Sequence, residues 1–197
     1  RSPKRDNGNG TSTDPALGVT WMKCAQGMVF DSVGNTCTGN SSKFQYCDAN
    51  DDSCNGGVSG GLLDGGGNSQ AWDTCNDLEF AGHTDWRVPN KEELRSLIQC
   101  TDGMTPADSA YCGDGNYTSP AIDTGLFPNF PGTWFWTSAS DAGDSGDAWG
   151  VYLFYGHILN YNKGDADSVL CVCSPKRDNG TGTITDPALG VTWMKCA

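Results

Sequence analysis

The residues of this sequence that can do chemistry are unevenly chosen. There are ten cysteines but only two histidines, His83 and His157. Of 24 acidic side chains only Glu79, Glu92 and Glu93 are glutamate, which leaves 21 aspartates. Cysteines without a Cys/His zinc pattern read as disulfides of an oxidising compartment. Cys24, Cys37, Cys47, Cys54, Cys75, Cys100, Cys112, Cys171, Cys173 and Cys196 are all candidates for such bonds. Aspartate is a loop and cap residue and a ligand for hard cations. The run Asp48-Ala49-Asn50-Asp51-Asp52-Ser53 alternates like a calcium loop, with Asp48, Asn50 and Asp52 as the ligands. It lacks the usual Gly and the closing Glu, so it is not an EF-hand. Asp141, Asp144 and Asp147 form a second acidic group, and Asp165 with Asp167 a third. A structural Ca²⁺ site is one reading of these groups, and solvated acidic loops are the other. Gly57-Val58-Ser59-Gly60-Gly61 matches a nucleophile elbow, but that device needs a strand before it and a helix after it. Here it sits in a Gly/Asn/Ser loop, and the chain is expected to be non-enzymatic.

Glycines number 27 of 197, roughly twice the average usage, and glycine-rich loops are costly to order. Disulfides are the obvious offset. The net charge of -12 opposes phosphate backbones and anionic lipid heads, so neither nucleic acid nor a membrane surface is an expected partner. No run reaches the roughly 18 apolar residues of a membrane helix, so no membrane insertion is expected. Asn9, Asn40, Asn116 and Asn179 open sequons, as exported glycan-bearing loops do. The start carries neither an initiator Met nor a signal peptide, and it reads as processed or cut from a longer chain.

The elements that position these residues follow from pattern. Asp14 to Gly18 is a turn, and a strand runs over 19–23. Residues 27–67 form a long irregular segment that needs staples. A helix is predicted over 70–78. A second follows Asn90 as N-cap, with Glu93 completing a capping box and Leu94, Leu97 and Ile98 as its apolar stripe. Strands are predicted over 134–138, 148–155, 158–161 and 169–173, with turns at Gly156-His157 and Asn162-Lys163-Gly164. The class is α+β, with two short helices and an antiparallel sheet between disulfide-stapled loops. Trp134 and Tyr155 are the aromatics expected to offer a surface for sugar rings or a neighbouring domain.

The two ends of the chain repeat each other. Ser2–Ala25 recurs as Ser174–Ala197 at an offset of 172 residues, and only Asn9/Thr181 and Ser12/Ile184 differ among 24 positions. That period is too long for a solenoid. Residues 2–173 therefore read as one domain and 174–197 as the start of the next. The tail is either the continuation of a tandem polymer or a donor strand for a neighbouring molecule. One period holds nine cysteines, so one stays free or bridges between units, and Cys173 is the one left over.

The phrase Gly82-His83-Thr84-Asp85-Trp86-Arg87-Val88-Pro89-Asn90-Lys91-Glu92-Glu93-Leu94 resembles the hallmark of the DUF1566 family, also called the Lcl C-terminal domain family, and only Val88 departs from it. The opening Asp186-Pro187-Ala188-Leu189-Gly190-Val191-Thr192-Trp193, the pair of loops at Cys24 and Cys37, Phe127-Pro128 with Trp136-Thr137-Ser138, the strand Trp149–Gly156 and the segment Val169–Cys173 match in order. The resemblance implies a C-type-lectin-like architecture and a central Cys75–Cys171 disulfide joining a helix to the last strand. Cys24–Cys37 then closes the first loop, and Cys47–Cys54 and Cys100–Cys112 close short ones. Leu170 and Cys173 stand where the family has arginines. Asp85, Trp86, Arg87 and Pro89 are read as structural, with Trp86 in the core and Arg87 paired to a carboxylate at the helix start.

The expected function is a structural repeat unit of a secreted filament or fibre at the bacterial cell surface, with copies of itself as partners. The alternative is a lectin-like adhesin binding glycans. An enzyme of the formylglycine-generating type ranks last, because no cysteine pair here matches its dedicated one.

Overall fold

A computed structural model gives the architecture. It describes residues 3–174 and, beyond them, the strands within 177–178, 183–186 and 191–194. Three strands open the chain: β1 (Arg5–Asp6), β2 (Thr11–Asp14) and β3 (Val19–Met22). The β2–β3 turn forms because Asp14 accepts from the amides of Ala16 and Leu17, and Gly18 takes a positive φ of 69°. β1 and β2 are polar and carry no apolar alternation, so periodicity does not mark them. Two short hairpin strands, β4 (Val29–Asp31) and β5 (Thr36–Thr38), then β6 (Phe44–Gln45), are the regular structure before the first helix.

Helix α1 (Gln70–Asn76) starts where the Ser69 hydroxyl accepts from Trp72 N. After β7 (Trp86–Arg87) comes α2 (Lys91–Arg95). Asn90 and Glu93 form the reciprocal capping box, each bond at 2.8 Å. The helix stops at Arg95, before the end of its apolar stripe, but Leu94, Leu97 and Ile98 are all buried. A meander follows: β8 (Trp134–Ser140), β9 (Asp147–Tyr152) and β10 (His157–Asn162). β9 ends earlier than its alternation suggested, because Gly156 turns the chain with a φ of 66°. β11 (Ala166–Asp167) pairs with β6.

The last strand of the domain, β12 (Val172–Cys173), lies between β3 and β7, in the sheet order β1-β2-β3-β12-β7. Val172 pairs with Trp21 on one side and Arg87 on the other. The domain's beginning and end therefore share one sheet. The core fills the space between this sheet and the meander: Trp21, Phe135, Val151, Ile158 and Leu170 are fully buried. The class is α+β, mostly antiparallel, with few helical turns.

Among the described residues four disulfides staple the loops: Cys24–Cys37, Cys47–Cys54, Cys75–Cys171 and Cys100–Cys112. The third ties α1 to the residue before β12 across a sequence separation of 96. Of the two alternatives for the odd cysteine, the structure bears out the free thiol and corrects the bridge. Cys173 is a free thiol with no exposed surface, and it is paired between β3 and β7. It cannot bridge to another unit without opening the sheet. Cys196 and Asn179 lie outside the described residues.

The described strands of the second copy pair as those of the first do. β13 (Arg177–Asp178), β14 (Thr183–Asp186) and β15 (Val191–Met194) form their own three-stranded sheet. Thr183 pairs with Met194 as Thr11 does with Met22, and Arg177 with Thr185 as Arg5 does with Thr13. Every described pair keeps the offset of 172 found in the sequence.

Candidate functional site

The D-W-R phrase works as a lock. Trp86 is buried, with its indole N–H donating to Phe80 O at 3.2 Å and its ring against Phe80 and His83. The Arg87 guanidinium forms two bonds to Glu93, at 2.7 and 2.8 Å, and one to Ser174 Oγ at 2.9 Å. A bidentate charged pair of this kind is directional as well as strong. Glu93 is also the capping-box residue, so its carboxylate joins the start of α2 to β7, and the Arg87 guanidinium carries the link on to the residue after β12. Pro89 leaves its carbonyl to accept from Ser138 N at 2.7 Å, which ties the phrase to β8.

The acidic loop between Cys47 and Cys54 is organised around a lysine. Asp48 is held by Asn68 at 2.6 Å, Asn50 accepts from Gly164 N at 3.2 Å, and Asp52 accepts from Asn55 and Lys163. The three side chains named above as calcium ligands are thus engaged by different partners. Lys163 is fully buried, and its ammonium donates to Asp51 O, Ser145 O, Asn55 Oδ1 and Asp52 Oδ1 at 2.7 to 3.1 Å. An oxygen cage around an internal cation is the arrangement a calcium loop would offer a metal; here the cation is a side chain. Sequence reasoning missed it, because nothing in the Asn162-Lys163-Gly164 turn marks that lysine as buried. In the second acidic group, Asn160 Nδ2 reaches Asp141 at 2.7 Å and Asp147 at 3.4 Å. Burial, then Asp144 and Asp141, push the Asp147 carboxyl above its usual range.

The surface with the most to offer a partner is the outer face of the meander. Trp134, Tyr152 and His157 stand abreast on β8, β9 and β10, in register across three strands. Their rings are 5.3 to 5.4 Å apart about Trp134. Tyr155 and Tyr117 continue the patch at one end and Tyr111 at the other, with Tyr155 and Tyr111 exposed. Beneath it Tyr161 stacks on Trp136 at 4.3 Å. Gly150 makes that stack possible, since a Cβ there would meet the Tyr161 ring at 2.5 Å. Burial holds the His157 imidazole below its usual range, so the patch is close to uncharged at neutral pH. Trp134 and Tyr155, the two aromatics named from sequence, both belong to it.

Asn9 and Asn40 are exposed, and Asn116 is half-buried. His83 and Asp85 lie beside Cys173 in the first sheet, and burial first, then Asp85, push that thiol up to about 12. The Ser59 segment lies in an exposed loop with neither a strand before it nor a helix after it. No helix among the described residues is long and apolar enough to cross a membrane.

A family model described as the Lcl C-terminal domain matches residues 10–173. No curated protein and no solved structure matches the chain.

Proposed function

The chain belongs to the Lcl C-terminal domain family, and on that premise we propose that residues 2–173 are one bead of an extracellular filament or bacterial cell-surface fibre, with the next bead beginning at Ser174. The bead is C-type-lectin-like and non-enzymatic, and its partners are further copies of itself. One observation carries the reading. The opening of the domain recurs at an offset of 172 residues, and the recurring strands pair in the register of the first copy. A duplicated tag would not differ at two positions. The joint is short: the four Cα steps from Cys173 to Arg177 span at most about 14 Å, and Pro175 stiffens them. Consecutive beads are therefore held close. Four disulfides and sequons on exposed loops at Asn9 and Asn40 suit exposure outside the cell.

The aromatic row of Trp134, Tyr152 and His157 favours a second reading, a glycan-binding adhesin module, because stacked rings present flat apolar faces to sugars. Negative-stain microscopy of the native material separates the two. Long filaments of uniform width support the fibre. Isolated domains retained on a glycan array, from a gene encoding a single copy, would overturn it in favour of the adhesin.

A further inference from the structure

The free thiol of the bead keeps company that the eight bonded cysteines do not. Cys173 Sγ, a ring nitrogen of His83 and a carboxylate oxygen of Asp85 all lie within 4.8 Å of one another. Among the described residues this is the one group of three or more His, Cys, Asp and Glu side chains so gathered. Backbone pairing sets the arrangement. Cys173 pairs with Trp86 on β7, and Asp85 is the residue before Trp86. His83 is fixed by two backbone bonds with Phe80, each 3.0 Å, and by its ring packing edge-on to Trp86 at 5.9 Å.

These groups do not satisfy one another. His83 Nδ1 and Asp85 Oδ1 are 3.8 Å apart, beyond a hydrogen bond. Among the described residues neither side chain makes any other hydrogen bond. Arg87 is the nearby cation, and its guanidinium is committed to Glu93. The imidazole and the carboxylate are thus left without partners beside a thiol whose own neighbours are Thr20 and, at longer range, Arg87.

We propose that His83, Asp85 and Cys173 form a binding site for a borderline-soft divalent metal ion, with zinc the ion their ligand types suit best. Sulfur, imidazole nitrogen and carboxylate oxygen are the zinc donor set, whereas calcium takes oxygen alone. Zinc distances of about 2.0 to 2.3 Å put tetrahedral ligands roughly 3.3 to 3.7 Å apart. The cluster therefore needs to close by about 1 Å, which side-chain rotation at two half-exposed residues supplies. His83 and Asp85 are 32 and 31 % exposed, so the fourth position opens to water. On binding, the thiol proton leaves to solvent. The ion would join β12 to the segment before β7 and keep the thiol from oxidation. This site does not depend on the fibre reading.

Cobalt substitution tests it, because a thiolate bound to Co²⁺ gives a near-ultraviolet charge-transfer band. The full chain with Cys196→Ser is titrated with Co²⁺ and then with Zn²⁺. One equivalent of Co²⁺ should raise the band, and one of Zn²⁺ should abolish it. Cys173→Ser should lose the band. His83→Ala and Asp85→Asn, at half-exposed positions that the fold tolerates, should each weaken binding more than roughly 10-fold. Absence of the band, its survival in Cys173→Ser, or unchanged affinity in both His83→Ala and Asp85→Asn would overturn the site.

Discussion

The two main sheets of the bead are held by different means. The sheet of β1, β2, β3, β12 and β7 is pinned at its seam by Cys75–Cys171 and by the Arg87–Ser174 bond, both of which join residues far apart in the chain, and Glu93 holds the Arg87 guanidinium in place. The meander of β8, β9 and β10 contains no cysteine and relies on cross-strand rings over a Phe135–Val151–Ile158 underside. The first sheet carries the chain in and out of the domain, where load on a fibre would pass. The second carries the face that is free to meet a partner. Long-range locks sit where the chain would be pulled, and adaptable aromatic surface sits where it would not.

The sharpest way to break this contrast is to remove the seam. Replacing both Cys75 and Cys171 with Ala frees a loop whose closure is worth about 4 to 5 kcal/mol. Urea denaturation should show a loss of that order, larger than for any single substitution on the meander's outer face. Next is Lys163→Met. Lys163 follows directly on β10 with its ammonium fully buried, and without it the buried Asn55 Oδ1 and the main-chain carbonyls of Asp51 and Ser145 lose their donor. The expected cost is about 3 kcal/mol, with the Cys47–Cys54 loop first to lose hydrogen-exchange protection. A metal chelator should not reproduce that loss, since the loop's cation is a side chain. Arg87→Ala should cost about 2 kcal/mol by stranding Glu93 and loosening the start of α2. If Arg87→Ala proved as mild as a surface change, the lock assigned to the first sheet would not exist.

The meander's face should behave oppositely. Trp134→Ala and Tyr152→Ala each remove ring contacts worth about 0.5 to 1.5 kcal/mol beyond area burial, and the bead should stay folded. Their effect should appear instead in retention on glycan arrays or in lateral association of filaments. A pair of variants that melt early but bind normally would make the face structural.

Some of this was legible in sequence for physical reasons. The α2 start is written locally, since Asn90 and Glu93 satisfy each other within one turn. The meander is written in alternation and turns. β1 and β2 were not legible, because polar strands held by register and a turn leave no hydrophobic period. The Lys163 cage and the His83–Asp85–Cys173 group were hidden for another reason. Lys163 lies 108 to 112 residues from Asn55, Asp52 and Asp51, and Cys173 lies about 90 from His83 and Asp85, and only the topology that seats β12 beside β7 and the 162–164 turn under the 47–55 loop brings them together.

The smallest expected effect is the most informative about the joint. Deleting residues 175–197 should change the bead's stability by less than about 0.5 kcal/mol, the range of changes that touch no core feature. Strands β13, β14 and β15 pair among themselves, and within the bead the places they would take beside β12 are already filled by β1, β2 and β3. If the tail instead donates its strands to a second molecule, the full chain's melting temperature will rise with protein concentration and the truncated chain's will not. A concentration-independent melt for both leaves the tail as the start of the next bead. A concentration-dependent one turns the fibre from a covalent string into a strand-exchanged stack.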